Sequence, residues 1–259
     1  MSADLEKSKA FYAEVFGWQY DSKPMPEGGV YLLAKAGEKA VAGMMALPEM
    51  AKQNGAPAHW LYYFGVASWS EALSRFNRLG QGEILLPEKE IPSIGKWTVV
   101  KDGEGAMLAL FEASGDEASG DEPAPYNSRV HGQFHWHELM SRDSGLAKAF
   151  YGEVLGLVAE ETPMPDGHAY TLWKTATSAL AGGMMDMSNN EAIPAEVPPH
   201  WSAYLAVDSI EACQKAIEAN GGTILVPPMS VECVGTFLHF QGPGGAVLGA
   251  IQPAPENRG

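Results

Sequence analysis

Six of the seven histidines of this 259-residue chain, His131, His135, His137, His168, His200 and His239, fall in its second half, and only His59 falls in the first. Imidazoles set beside carboxylates can move protons near neutral pH or hold a divalent ion. In Phe134-His135-Trp136-His137-Glu138-Leu139, strand alternation puts His135 and His137 on one face and Trp136 and Glu138 on the other. Glu138 and His137 are the acid and base candidates of this run, and a one-residue bulge would decide which face is inside.

A second set of residues suits a flat or cationic ligand. Trp60, Tyr62, Tyr63, Trp97, Trp136, Trp173, Trp201 and Tyr204 all fall on segments with strand character, and aromatic faces attract planar rings and cations. Each ring taken alone also suits ordinary core packing. Other chemistries lack their motifs: the chain has no GxSxG, no GxxxxGK[ST] and no HExxH. Gly242-Pro243-Gly244-Gly245 reads as a turn between strands, not as a phosphate loop opening a helix.

The elements that carry these residues repeat. Asp4, Ala10-Phe11-Tyr12, Glu14-Val15 and Gly17 return as Asp143, Ala149-Phe150-Tyr151, Glu153-Val154 and Gly156. Pro24-Met25-Pro26 with Tyr31 returns as Pro163-Met164-Pro165 with Tyr170, Gly43-Met44-Met45 as Gly183-Met184-Met185, and His59-Trp60 as His200-Trp201. The register drifts by single residues, which belong in loops. Residues 4–111 and 143–251 are thus two copies, giving domains at 1–112 and 129–253. The acidic Gly/Ser/Pro stretch 113–128, with SGDE twice, cannot supply a core and reads as a linker.

Within the second copy, Gln133–Met140 reads as a strand and Asp143 as the cap of a helix carrying Leu146, Ala149, Phe150, Val154 and Leu155. Tyr170–Lys174 and Ala179–Met187 read as strands. The order restarts with a strand at His200–Val207, a helix at Ser209–Asn220, and strands at Thr223–Val226, Thr236–Gln241 and Ala246–Ile251. Each copy is therefore two βαβββ units. In the first copy nothing matches Gln133–Leu139, because Met1 aligns with Met140. That predicts a lost first strand, through truncation or a start at an internal methionine, and a bare sheet edge.

Composition narrows the partners. The net charge of −15 repels a phosphate backbone, so nucleic acid is not expected. The start MSADLEKSKAFY lacks a signal-peptide core and no apolar run reaches membrane-spanning length, so neither export nor a membrane is expected. Cys213 and Cys233 form no framework of disulfides. The reading is a cytoplasmic protein that takes a small-molecule ligand, with a homodimer left open.

The D-x₆-F-Y-x-x-V-[FL]-G segments at Asp4–Gly17 and Asp143–Gly156, the helix stops at Gly80 and Gly221, and the closing turns Asp102–Leu108 and Gln241–Leu248 together resemble the glyoxalase, bleomycin-resistance and extradiol-dioxygenase superfamily. Tandem two-domain bacterial members are the nearest likeness. The resemblance implies an α+β fold, two tandem glyoxalase-like domains, each a pair of βαβββ units forming a curved mixed sheet around a cleft. It also implies a small carbonyl or aromatic substrate, a lyase or dioxygenase reaction, and a divalent metal such as Fe, Ni, Zn or Mn.

The family's closing-strand Glu is absent: Ala109 and Gly249 stand in its place. Its second-unit histidine falls at Leu61 and Ser202, two residues past His59 and His200. Asp186 lies near the family's fourth-strand acid, and the matching first-copy residue is Ala46. Carried over, the resemblance gives His200, Asp186 and one of His137 or Glu138 as metal ligands, and Glu138 and His137 as catalytic groups. Trp136, Tyr170, Trp201, Tyr204 and His59 become substrate contacts, which places the chemistry in the second copy. The alternative is a metal-free protein that binds and sequesters a small molecule, as the bleomycin-resistance branch does.

Overall fold

The structure is a computed structural model that describes residues 1–25, 28–114, 127–164, 169–188, 190 and 193–255. His168 and residues 115–126 of the linker lie outside the described residues. The elements in chain order are α1 (Leu5–Phe16), β1 (Gln19–Pro24), β2 (Val30–Ala36), β3 (Lys39–Met45), α2 (Glu49–Gln53), β4 (Tyr63–Gly65), α3 (Trp69–Leu79), β5 (Glu83–Ile91), β6 (Gly95–Lys101) and β7 (Met107–Ala113). The second half follows with β8 (Phe134–Ser141), α4 (Ser144–Leu155), β9 (Val158–Pro163), β10 (Ala169–Lys174), β11 (Leu180–Asp186), β12 (His200–Ala206), α5 (Ile210–Ala219), β13 (Thr223–Val231), β14 (Gly235–Gln241) and β15 (Val247–Pro253).

The fold is the mixed α+β arrangement expected, and the compact units draw on both copies. Unit 1 comprises residues 1–60, 127–136 and 203–259, and unit 2 comprises 61–126 and 137–202. Each unit thus takes one βαβββ module from each copy, which answers how the modules group.

In unit 2, one module forms a sheet in the order β4-β7-β6-β5 and the other forms β8-β11-β10-β9. The first strand of each lies parallel to the last, β4 on β7 and β8 on β11, and the remaining pairs are antiparallel. The helices α3 and α4 pack on each other, with Phe76 edge-on to Phe150 at 5.9 Å. Their caps follow from sequence: Ser68 and Asp143 accept backbone N–H bonds at the N-termini, and Gly80 and Gly156 close the helices in the left-handed conformation. Leu108, Leu139, Phe150, Tyr151, Trp173 and Met184 lie fully buried in the core.

Unit 1 repeats this plan with β13-β14-β15-β12 and β1-β2-β3. Here α1 packs on α5, and Phe11 and Phe16 stand 5.8 and 5.7 Å from Phe240. Where copy 2 has β8, the described residues of copy 1 hold a single bridge. Ser2 pairs parallel with Ala46, the counterpart of Ser141 with Asp186. Ser2 N–H donates to Met45 O, Leu47 N–H donates to Ser2 O, and Met1 exchanges bonds with His59. The end of β3 is thus covered by two residues and not left bare.

The last long strand also differs from expectation. The run Thr223–Val226 continues to Val231 through Pro227-Pro228, because β13 is an edge strand whose pairing shifts between Val226 and Met229, where ladder N–H groups are not needed. Among the described residues, no helix is long and apolar enough to cross a membrane.

Candidate functional site

In unit 2, β8 divides the two residues picked as acid and base. His137 lies among aromatic rings, edge-on to Tyr62 at 5.7 Å, and burial pushes its imidazole down to about 4. Glu138 is buried at 5% exposure on the other face. It accepts a hydrogen bond of 2.6 Å from the Tyr170 hydroxyl. The row explains a repeated motif: Gly183 of β11 is in register with Glu138, and Tyr170 lies so close over it that a Cβ on Gly183 would sit 1.9 Å from the phenol oxygen. The ring crosses the middle strand because that strand offers no side chain there. Tyr31 over Gly43 repeats the crossing in copy 1, at 1.7 Å.

The core side of unit 2 holds a chain of polar groups. Trp201 Nε1–H donates to the Tyr151 hydroxyl at 2.7 Å, which donates to Asp102 Oδ2 at 2.9 Å. Asp102 Oδ1 accepts the backbone N–H groups of Glu104 and Ala106, both at 2.9 Å. Burial raises the Asp102 carboxyl above the usual range, against the lowering effect of the Tyr151 bond. Trp201 and Tyr151 therefore belong to packed interior: Trp201 is 5% exposed.

The predicted metal ligands do not gather. The register Gly183 with Glu138 and Asp186 with Ser141 sets Asp186 about four residues along the strands from the level of His137, roughly 13 Å. Asp186 accepts the Ser188 N–H. His200 Nδ1 bonds Pro198 O at 2.8 Å, and His59 Nδ1 bonds Pro57 O at 2.9 Å. The P-x-H-W motif thus fastens each ring to the chain just before it. Among the described residues no three His, Cys, Asp or Glu side chains form a group that could hold a metal. Among the described residues, the donor set does not fit a resident divalent ion.

In unit 1, β12, β15 and β14 set Tyr204, Gly249 and His239 in one row. Tyr204 stands 5.1 Å from His239 and 5.7 Å from Phe237, edge to face. A Cβ on Gly249 would meet the Tyr204 ring at 2.3 Å. These rings share a strand face that alternates with Leu238 and Phe240, the residues turned to the core. Trp136, the last residue of unit 1 before the chain passes into unit 2, is half-buried. No motif announced Asp102, Glu104 or His239 as site-shaping residues. The offset between copies exposes the first two, since Gly242 and Gly244 take their places in copy 2.

Residues 133–249 match the Glyoxalase/Bleomycin resistance protein/Dioxygenase superfamily and residues 2–30 the bleomycin resistance protein-like N-terminal family. "Putative glyoxylase CFP32" of Mycobacterium tuberculosis is 31% identical over 256 residues, 98% of this chain and 93% of its own. The chain belongs to the glyoxalase, bleomycin-resistance and dioxygenase superfamily. "Anthracycline biosynthesis protein DnrV" of Streptomyces peucetius is 26% identical over 85% of this chain and 79% of its own.

Among solved structures of the superfamily fold, the 2,3-dioxygenase LapB of Pseudomonas sp. KL28 aligns with a TM-score of 0.58 at 16% identity, covering 99% of this chain and 92% of that one. The Mn(II)-bound glyoxalase of Novosphingobium aromaticivorans aligns at 0.56 and 15% identity, covering 97% and 79%. At these identities the likeness is one of fold.

Proposed function

We propose that this superfamily member acts on a small carbonyl or aromatic molecule by proton transfer at Glu138, on the face of unit 2 turned away from its helices. The observation that carries the reading is the Tyr170 to Glu138 hydrogen bond over Gly183. A buried carboxylate on a rigid strand, bonded by the Tyr170 phenol, is placed to remove a proton from the C–H beside a carbonyl or from a phenolic O–H. Glu138 becomes the neutral acid and the ligand the enolate or phenolate, whose charge the Tyr170 hydroxyl is near enough to meet. Tyr170 is half-buried, so the pair has a solvent-facing side. No step passes through a metal, because the donors do not fit one.

A second reading, capture of a planar molecule without chemistry, draws support from the rings beside Tyr204 and from the anthracycline-biosynthesis relative. One experiment separates the two. The wild type, Glu138→Gln and Tyr170→Phe are each mixed with the methylglyoxal–glutathione adduct, catechol and a hydroxylated anthraquinone, and followed by NMR for conversion and by titration for binding. Conversion of one probe that falls at least about 100-fold in Glu138→Gln, with binding retained, supports proton transfer. Binding without conversion supports capture. Equal conversion by Glu138→Gln and wild type overturns the catalytic reading, and absence of both binding and conversion overturns both.

A further inference from the structure

The closing strand β15 carries an observation independent of Glu138. Its Gly249 is the middle member of a three-strand row, with Tyr204 in register on one side and His239 on the other. The Tyr204 ring lies across the glycine: a Cβ there would stand 2.3, 2.7 and 3.0 Å from Cδ1, Cε1 and Cγ of that ring. These atoms are the near edge of a rigid ring, not the tip of a flexible chain. Tyr204 is 7% exposed and is braced by edge contacts to His239 and Phe237, so it has little room to swing aside.

A looser form of this row appears in the other copy, within unit 2. Tyr63 on β4 is in register with Ala109 on β7, and its ring stands 6.1 Å from Trp97 and 6.5 Å from Phe111. At both places a small residue on the closing strand is in register with a tyrosine near two further rings, but only Tyr204 is buried, Tyr63 being exposed. At Gly249 the volume that a side chain would need is filled by the Tyr204 ring.

We infer that Tyr204 and Gly249 are a coupled pair that replaces a metal donor on the closing strand with an aromatic floor, so that this strand of unit 1 is closed to divalent ions. The inference goes beyond proton transfer at Glu138 and stands or falls separately from it. A lone Gly249→Glu change would not rebuild a donor, because the ring occupies the volume its first carbon needs; Tyr204 has to shrink first.

The test is a double-mutant cycle on thermal stability, paired with equilibrium dialysis against Mn(II). Gly249→Ala is expected to lower Tm by roughly 3–10 °C in the wild-type background. In a Tyr204→Val background, which keeps an apolar β-branched strand residue, the same change is expected to cost less than about 2 °C. Equal costs in both backgrounds would overturn the coupling. Dialysis is expected to show more Mn(II) retained by Tyr204→Val/Gly249→Glu than by wild type. Wild type holding one Mn(II) per chain, weakened by Gly249→Ala, would overturn the closure, and this arm needs no large change to fold.

Discussion

Trp201 donates its indole N–H to the Tyr151 hydroxyl at 2.7 Å, whereas its counterpart Trp60 donates to Tyr12 at 3.3 Å. The difference tracks a third member. In unit 2 the Tyr151 hydroxyl passes its own proton to Asp102, while in unit 1 the equivalent turn holds Gly242, whose Cβ would begin 3.5 Å from the Tyr12 hydroxyl. Asp102→Ala strips acceptors from two backbone N–H groups and from Tyr151, and is expected to cost about 2–4 kcal/mol in urea unfolding. Gly242→Asp installs the missing member in unit 1, whose turn already has the same N–H bonds from Gly242 to Ala246 and from Gly245 to Gly242. Shortening of the Trp60 to Tyr12 contact in a crystal structure of that variant is the expected outcome.

Glu104 ties a turn to a helix. One of its oxygens accepts the N–H groups of Arg142 and Asp143, both at 2.7 Å, and the other accepts the Ser141 hydroxyl at 2.6 Å. This carboxylate sits where the N-terminus of α4 is electropositive. Glu104→Gln keeps an acceptor and should cost less than Glu104→Ala, for which a loss of about 1–3 kcal/mol in denaturant unfolding is expected.

His137 makes acid stability measurable. Its folded value of about 4 lies below the usual imidazole value of 6.5, so the unfolded chain binds the proton more readily. The stabilising contribution is complete above pH 6.5 and is lost as pH falls through about 4, amounting to at most about 3 kcal/mol. Asp102 acts with the opposite sign: its raised value gives a contribution present at low pH and lost as pH rises through that value. Unfolding of His137→Phe followed between pH 7 and pH 4 should therefore show a shallower loss than wild type.

Gly183→Ala should destabilise by about 1–3 kcal/mol, because the new Cβ would sit 1.9 Å from the Tyr170 oxygen. The displaced phenol should also release Glu138. In a calorimetric titration with whichever probe binds, the variant should lose affinity together with Tyr170→Phe.

Much of the fold was legible because its signals are local: caps at Asp4 and Asp143, glycine stops, and a repeat dense enough to count strands. The residues Gly43 and Gly183 showed up only as a repeated Gly-Met-Met, and their purpose became visible once Tyr31 and Tyr170 were seen crossing them. The grouping of modules was not legible, since two copies with the same apolar faces are interchangeable in one dimension and only packing of α3 on α4 and α1 on α5 distinguishes the pairings. His137 and Glu138 were readable as residues on opposite faces of a strand, but which face met the rings depended on Tyr62, 75 positions away in sequence. The predicted metal trio failed to gather because distance along a strand does not appear in a list of residue types.

The crosswise composition of the two units has a genetic meaning. Each unit needs residues from both sides of the linker, so exchanging one copy for that of a relative would splice foreign helices into both cores at once. Tyr151 and Asp102, or Phe11 and Phe240, must be inherited together across that exchange. Recombination between the copies therefore disturbs the folding of both units.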